Sequence, residues 1–198
     1  VLSLSKNSLK GENTLKEICK LKKLEHLDLS ENPLLSDEEE GYDHIPFEIG
    51  ELLNLEYISL NKNHFGCEIP TSFSNLTKLE FIDLGGNQFS NENLDLTKFP
   101  LLERVYLEEN WFLKTIDLRN DNNTSITDLN VDDCEQLTCI FVDDAAYCAD
   151  NWPVLDCYVY FVETQAECDA IKTEIYVPDD NFEKALIKLG YDTTLDDY

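Results

Sequence analysis

The sequence is poor in basic residues: 15 lysines and arginines stand against 41 aspartates and glutamates, and the formal net charge is −26. A surface this acidic repels nucleic acid and anionic lipid, so we expect neither as a partner. Cationic partners, neutral ligands such as sugars, calcium and a purely solubilising role remain open. No run of about 18 apolar residues occurs, so the sequence predicts no insertion into a membrane.

Catalytic motifs are also scarce. The chain has three histidines and contains no GxSxG, HExxH, P-loop or GxGxxG sequence. Carboxylates are so abundant that a chance pair of them is no evidence for a glycosidase-like site. We therefore expect a protein that is not an enzyme and that carries no cofactor, with calcium as the open alternative.

Neither a signal peptide nor an initiator methionine is visible, and Val1 begins within a strand-like pattern. We expect the chain to be a piece of a longer protein. Seven cysteines are many for a cytosolic protein of this size, and four of them fall within residues 139–168. This clustering favours an oxidising compartment.

A repeat dominates the first half of the chain. The pattern LxxLxLxxN, with Ile or Val at some of its apolar positions, covers Leu24–Asn32, Leu55–Asn63, Leu79–Asn87 and Leu102–Asn110. Alternation along a strand turns Leu27 and Leu29 into the core and Asp28 outward. The asparagine lies at the following turn, where a buried amide can satisfy main-chain groups. Such a period is typical of leucine-rich repeats. The sequence predicts an α/β right-handed solenoid with a parallel sheet on its concave face.

After Asn110 the apolar positions recur sooner, as Ile116-x-Leu118, Ile126-x-x-Leu129-x-Val131 and Leu137-x-x-Ile140-x-Val142. We interpret these as two or three shorter repeats. The pattern then stops, and the aromatic-rich residues 143–168 are expected to cap the open end of the core. The predicted domains are therefore a solenoid over 1–142, a cap over 143–168, and a linker with an amphipathic helix over 169–198.

Two resemblances refine this prediction. Gly66–Pro70 resembles the GxIP repeat of plant receptor ectodomains and of some bacterial surface proteins. Ile116–Thr124 and Leu137–Cys168 resemble the end of the repeat domain in secreted leucine-rich-repeat proteins of the Bacteroidetes, especially flavobacteria. Tyr176–Asp192 resembles the beginning of such a domain. This second resemblance implies a secreted or outer-surface bacterial protein.

The residues of Tyr176–Asp192 also predict a helix without any reference to a resemblance. Asp180-x-x-Glu183 is a capping box, and Gly190 can end the helix. One interpretation is that it caps the start of a following repeat domain in a tandem array. The other is that it packs under the end of its own domain.

The Bacteroidetes resemblance also bears on the cysteines. Cys139 and Cys168 match positions at which those proteins carry cysteines, which implies a disulfide between them. Cys148 and Cys157 stand where small residues are more usual, so we predict a second disulfide between these two, with buried free thiols as the alternative. Zinc is not expected, because no CxxC pair occurs and the histidines lie far from the cysteine cluster.

The outward positions of successive strands should align one coil apart, about 4.8 Å. The predicted ligand-binding residues on the concave face are His26, Asp28, Tyr57, Ser59, Asn61, Phe81, Asp83, Arg104, Tyr106 and Glu108. Among these, Tyr57, Phe81 and Tyr106 are expected to be exposed, and exposed aromatics beside polar groups suit protein or sugar recognition.

Acidic clusters offer calcium ligands at Asp132, Asp133, Asp143 and Asp144, and in the loop from Asp37 to Asp43. Neither cluster matches a known calcium loop, and a solvated acidic turn is the alternative interpretation.

Taken together, the sequence favours a recognition or adhesion module, secreted or on the cell surface, that binds a protein or glycan. An alternative is a structural spacer in a long tandem-repeat surface protein or filament, where neighbouring copies of the module would be the partners. A plant-type receptor or inhibitor ectodomain, supported only by the GxIP repeat, is a third possibility.

Overall fold

The structure, a computed structural model, describes residues 1–9, 12–32, 44–152 and 159–173 of the 198-residue chain. The strands in this part are β1 (Leu2–Ser3), β2 (His26–Asp28), β3 (Tyr57–Ser59), β4 (Phe81–Asp83), β5 (Asn93–Asp95), β6 (Arg104–Tyr106), β7 (Thr115–Asp117), β8 (Asp128–Asn130), β9 (Cys139–Phe141) and β10 (Tyr160–Val162). The α helices are α1 (Glu12–Ile18), α2 (Ala145–Asn151) and α3 (Gln165–Thr173), and 3₁₀ helices span Phe47–Glu51, Thr71–Asn75 and Asn123–Ser125. In the described part, no helix has the length and apolar character needed to cross a membrane.

The chain divides into two compact units, Val1–Thr164 and Gln165–Tyr198. The strands given above belong to the first unit, and α3 is the described part of the second. The predicted helix from Asp180 to Gly190 lies outside the described residues. The predicted boundaries at 142 and 168 stay predictions.

Six strands form a parallel sheet, here called the first sheet, in the order β1-β2-β3-β4-β6-β8. Each strand pairs with the strand of the next coil, so that Leu27 lies beside Ile58, and Ile82 lies between Ile58 and Val105. These four side chains are fully buried. The apolar positions of the repeat therefore form one continuous core, because each coil covers the apolar face of its neighbour.

Four other strands form a second parallel sheet, in the order β10-β9-β7-β5. From β5 to β9 the chain alternates between the two sheets, which explains why apolar positions recur at half the earlier spacing. The prediction of shorter repeats after Asn110 is therefore wrong. The coils are not shorter here, since Arg104 pairs with Asp128 and Thr115 pairs with Cys139, each 24 residues further along the chain.

In the earlier coils, 3₁₀ helices take the place of the second sheet. Phe47–Glu51 and Thr71–Asn75 each follow a proline, whose fixed φ suits the approach to a helical turn. The two helices lie so close that a Cβ on Gly50 would be 2.2 Å from the carbonyl oxygen of Ser72. Glycine is required at this position by the close approach of the main chain.

A column of buried asparagines lies where the strands of the first sheet end, and it consists of Asn32, Asn63, Asn87 and Asn110. Nδ2 of Asn87 donates to the carbonyl oxygens of Leu60 and Leu84 at 2.9 Å. Its Oδ1 accepts from the main-chain N–H groups of Asn63 and Phe65 at 3.1 Å. The predicted role of these asparagines, which is to satisfy main-chain groups at the turn, is confirmed.

In the coil after Asn110, a cysteine takes the asparagine position. The buried thiol of Cys134 donates to the carbonyl oxygen of Leu107 at 3.2 Å, and Nδ2 of Asn110 donates to the same oxygen at 2.9 Å. Burial raises the pKa of the Cys134 thiol to about 11. Cys134 therefore has a structural role as a neutral thiol inside the solenoid.

Helix α2 and the residues after it close the first unit. Asp144 caps α2 by accepting from the main-chain N–H of Tyr147 at 2.8 Å. The indole of Trp152 is buried, donates to the carbonyl oxygen of Ile126 at 2.9 Å, and meets the ring of Phe161 edge to face. These contacts anchor the cap through one buried aromatic side chain with a satisfied polar group.

The two disulfide predictions have different outcomes. Cys139 and Cys168 are disulfide-bonded, as predicted. Cys148 is a free, fully buried thiol, so the predicted disulfide between Cys148 and Cys157 is wrong. Cys148 points from α2 into the core, where its Sγ lies 4.0 Å from Oδ1 of Asn123. Cys157 itself lies outside the described residues.

Candidate ligand-binding face

The register of the first sheet places the predicted binding residues in rows, as the repeat spacing predicted. The first row is His26, Tyr57, Phe81 and Arg104, and the second is Ser3, Asp28, Ser59, Asp83 and Tyr106. The ladder continues past the strands, with the main-chain carbonyls of Ser30, Asn61, Gly85 and Glu108 each accepting from the coil before. These rows lie on the outward side of the first sheet.

Aromatic rings stack along the first row. The rings of His26 and Tyr57 are parallel with centroids 4.6 Å apart, and those of Tyr57 and Phe81 are parallel at 4.3 Å. Tyr106 meets Phe81 edge to face at 5.3 Å, and the guanidinium of Arg104 lies 4.9 Å from the Phe81 centroid. We call His26, Tyr57, Phe81 and Tyr106 the aromatic stack. Strand pairing fixes the spacing of these rings, so the surface is ordered before any ligand arrives.

Two of the predicted binding residues are less accessible than expected. Phe81 is only 6% exposed, because Tyr57, Tyr106 and Arg104 surround its ring. Ser59 is 3% exposed and donates its hydroxyl hydrogen to Asp83 at 2.8 Å. The prediction that Phe81 is an exposed aromatic is therefore wrong. The accessible rings of this surface are those of His26, Tyr57 and Tyr106, and Phe81 packs beneath them.

Two aspartates of the second row differ in their electrostatics. Burial on its own would raise the pKa of Asp28, but hydrogen bonds from Ser30 and Ser3 outweigh it and hold the pKa below its usual value. Deeper burial raises the pKa of Asp83, and its hydrogen bonds from Ser59 and Gly85 do not compensate. The ionised form is thus stabilised at one position and penalised at the other.

Glu108 folds back over the sheet. Its carboxylate lies above Gly85, where a Cβ would be 2.4 Å from Cδ of Glu108. Nδ2 of Asn61 donates to both Glu108 and Asp83, at 3.2 Å each. Burial and the nearby charge of Asp83 raise the pKa of Glu108. Its Oε2 atom is buried and has no hydrogen-bond partner among the described residues.

Tyr106 is tied to the next coil. Its hydroxyl donates to Oδ2 of Asp128 at 2.5 Å, and this hydrogen bond, followed by burial, raises the pKa of Tyr106 to about 12. Burial first, and then the charges of Asp28 and Asp83, raise the pKa of Tyr57. Both phenols therefore present neutral hydroxyl groups at physiological pH.

A further row was missed by the sequence analysis. It consists of Glu25, Glu56, Glu80 and Glu103, which we call the glutamate row. The main-chain N–H groups of the last three donate to the carbonyl of the preceding glutamate at 2.8 Å, and all four residues are exposed. None of the ion pairs between described residues involves this row. The signal was present in the sequence, since glutamate follows the first leucine in each of the four repeats.

The calcium candidates Asp132, Asp133, Asp143 and Asp144, which lie in the described part of the chain, are not gathered into a site. The Asp144 carboxylate is used as the cap of α2, and Asp143 donates its main-chain N–H to Asn123 at 2.6 Å. Asp132 and Asp133 lie on the turn that follows β8. Within the described ranges, no group of three or more His, Cys, Asp or Glu side chains is placed to hold a metal ion. The loop from Asp37 to Asp43 lies outside those ranges.

Comparison with known proteins supports the architecture. A family model described as Leucine Rich Repeat matches residues 23–47 and 54–76. The leucine-rich-repeat ectodomain of the receptor kinase SOBIR1 from Arabidopsis thaliana is similar in structure, with a TM-score of 0.56 and 25% sequence identity over 69% of this chain and 71% of that one. The chain has a leucine-rich-repeat fold. The predicted fold class is confirmed, with a second sheet added to it.

A bacterial structure gives the same result for the fold. The functional domain of InlJ from Listeria monocytogenes, which includes a cysteine ladder, is similar with a TM-score of 0.53 at 19% identity, over 82% of this chain. This leucine-rich-repeat chain spans 34% of the length of the InlJ domain. No curated protein sequence matches the present chain.

Proposed function

We propose that this leucine-rich-repeat chain is a non-catalytic recognition module that binds a protein or glycan through the outward side of its first sheet. The aromatic stack carries this proposal. The stacked rings present rigid, amphipathic edges on the sheet surface, and aromatic side chains dominate the binding energy of many interfaces.

The polar groups around the stack support the same proposal. Asp28, Asp83 and Asn61 are held by hydrogen bonds within the surface, so that little conformational entropy remains to be lost on binding. These bonds also occupy the carboxylates, which favours recognition over acid–base catalysis. We further propose a secreted or cell-surface location, supported by the disulfide of Cys139 and Cys168 and by the similarity to a receptor ectodomain.

The proposal is tested by replacing the exposed tyrosines. A random dodecapeptide library and a panel of oligosaccharides serve as probes, and those that bind the wild-type chain are measured against the double variant Tyr57→Ala, Tyr106→Ala. We expect affinity to fall about tenfold or more, since truncated aromatic anchors typically cost at least this much. Phe81 is left unchanged because its burial would confound a loss of binding with a loss of folding.

Phe47→Ala is the matched control. Phe47 is 66% exposed and lies on a 3₁₀ helix rather than on the first sheet. This variant should keep wild-type affinity, and both variants should keep the wild-type circular dichroism spectrum. Equal affinity of the wild type and the double variant for every probe would refute binding at the aromatic stack.

A further inference from the structure

We propose that the ligand of this surface is an extended polypeptide segment rich in arginine and lysine, lying across the strands beside the glutamate row. This inference rests on the proposed function, because it assigns a chemistry to the partner of the same sheet face.

The first argument is the charge pattern. The glutamate row borders the first row on one side, and the carboxylates of Asp28 and Asp83 in the second row border it on the other. In these rows, which belong to the described part of the chain, Arg104 is the single lysine or arginine. Its guanidinium is already placed over Phe81. A partner must therefore bring positive charge to match this face.

The second argument is the geometry of the glutamate row. Its members are joined by direct main-chain hydrogen bonds, so their carboxylates start from points about 4.8 Å apart along a line. Like charges at this spacing repel one another, and a cationic ligand relieves that repulsion. A line of carboxylates does not converge on one point as calcium ligands do, but it does match a chain with basic groups along its length.

The third argument is the position of the aromatic stack beside that line. The faces of Tyr57 are covered by His26 and Phe81, so the edge of the Tyr57 ring is what a ligand meets. Lysine and arginine side chains combine an aliphatic stem with a charged head, and the stem can pack on the ring edges while the head reaches a glutamate. A neutral glycan would cover the same rings but would leave the row of carboxylates without counter-charge.

A separate observation points to a missing donor. Oε2 of Glu108 is buried without a hydrogen-bond partner among the described residues, and a carboxylate oxygen in that state is costly. Glu108 lies in the row next to that of Asp83 and Tyr106. Because this oxygen is buried, a guanidinium or ammonium group of a ligand would supply the donor that it lacks only once the Glu108 side chain swings outward.

The experiment uses a fluorescently labelled octa-arginine peptide, with octa-glutamine as the neutral comparison. One variant neutralises the glutamate row through Glu25→Gln, Glu56→Gln, Glu80→Gln and Glu103→Gln. The control variant carries Glu68→Gln, Asp121→Asn, Glu135→Gln and Asp150→Asn, four exposed acids outside the row. Both variants change the net charge equally, so a difference between them reports position and not overall charge.

At about 0.15 M salt, where distant charges are screened, we expect the glutamate-row variant to lose at least tenfold in affinity for octa-arginine. The control variant should lose no more than about threefold, and octa-glutamine should not bind the wild type. Equal losses in the two variants would show general attraction to an acidic protein and would overturn the proposal. No loss in the glutamate-row variant would overturn it as well.

The double variant Tyr57→Ala, Tyr106→Ala separates this inference from the proposed function. If selected peptides or sugars depend on the two tyrosines while octa-arginine binding ignores the glutamate row, the recognition face stands and the basic partner is wrong. If octa-arginine binding depends on the glutamate row and on both tyrosines, the basic segment and the face are supported together.

Discussion

The carboxylate of Glu108 occupies the space above Gly85 in which a side chain would otherwise lie, with its Cδ 2.4 Å from where a Cβ would be. The main chain at Gly85 is ordinary, in contrast to Gly86, whose φ is 61°. The missing side chain at position 85 is therefore what allows Glu108 to reach Asn61. Glycine here shapes the charge pattern of the surface and does not relieve backbone strain.

Two glycine substitutions should therefore differ in cost. Gly85→Ala meets only the end of a flexible side chain, so Glu108 should swing into solvent and the stability should change by less than about 1 kcal/mol. Gly50→Ala meets the main-chain carbonyl of Ser72 at 2.2 Å, and should cost about 1–3 kcal/mol because packed backbone must move. Urea denaturation of both variants checks the order. A loss of stability in Gly50→Ala as small as that in Gly85→Ala would show that the two 3₁₀ helices can separate easily.

The pKa of Glu108 gives a second readout for Gly85→Ala. Burial raises this pKa in the wild type, so it should fall toward its usual value once the carboxylate reaches water. Titration of the Glu108 carboxyl carbon by nuclear magnetic resonance would show the change. An unchanged pKa would mean that Glu108 stays in place.

Two aspartates of one row should respond oppositely to the same substitution. Asp28 has a lowered pKa, so its ionised form adds stability above the usual pKa of about 3.8, and this is lost as pH falls through the lowered value. Asp83 has a raised pKa, so its ionisation costs stability at neutral pH, and the cost disappears below the usual pKa.

At pH 7, Asp28→Asn should therefore lower the Tm and Asp83→Asn should raise it, each by a few degrees at most. The difference at Asp83 should shrink toward zero near pH 3, below the usual pKa, and the difference at Asp28 should shrink as the pH falls through the lowered pKa of that carboxyl. Thermal unfolding followed by circular dichroism at the two pH values measures them. A shift of the same sign in both variants would show that hydrogen bonding at the two positions, and not ionisation, decides the stability.

A substitution in the asparagine column should lower the stability more than a substitution of Cys134, the cysteine at the equivalent position of the next coil. Asn87→Ala leaves buried carbonyl and N–H groups without partners, and should cost about 3 kcal/mol or more. Cys134→Ala removes one weak hydrogen bond to Leu107 and a small buried volume, and should cost less than half as much. Chemical denaturation compares the two variants. A larger loss at Cys134 would contradict the structural equivalence of the two positions.

Thiol reactivity should follow burial. Cys67 is an exposed free thiol, whereas burial raises the pKa of Cys19 to about 11 and that of Cys148 to about 12. Since the thiolate is the reactive form, N-ethylmaleimide should modify Cys67 first in the native protein. Peptide mapping by mass spectrometry assigns each site. Rapid modification of Cys148 in the native state would indicate that α2 opens readily.

The rows of the binding face could be read from the sequence because the repeat spacing fixes the strand register. Tyr57, Phe81 and Arg104 each lie two residues after the first leucine of their repeat, and strand pairing brings them together. The burial of Phe81 could not be read in this way, because it depends on how neighbouring rings fold over it. The glutamate row could also have been found in the sequence, but only by comparing the residue that directly precedes each strand and not the residues within the strands.

The second sheet could not be predicted from the sequence, for a different reason. Ile116-x-Leu118 and Leu129-x-Val131 show the same alternation, and nothing in that alternation states which sheet a strand joins. Only the pairing partners separate β7 from β8. In the same way, two cysteines at positions where the resembled proteins carry small residues favoured a bond between Cys148 and Cys157, whereas the helix that carries Cys148 turns its thiol into the core.

The change from 3₁₀ helices to strands opposite the first sheet has a consequence for curvature. A helix is wider than the spacing of paired strands, about 4.8 Å, so we expect the coils with helices on one side to spread apart there and to curve the first sheet around β1, β2 and β3. Where both sides are strands, as at β6 and β7, the spacing is equal and the bend relaxes. On this expectation, the aromatic stack spans the junction between a curved part and a flatter part of one continuous sheet.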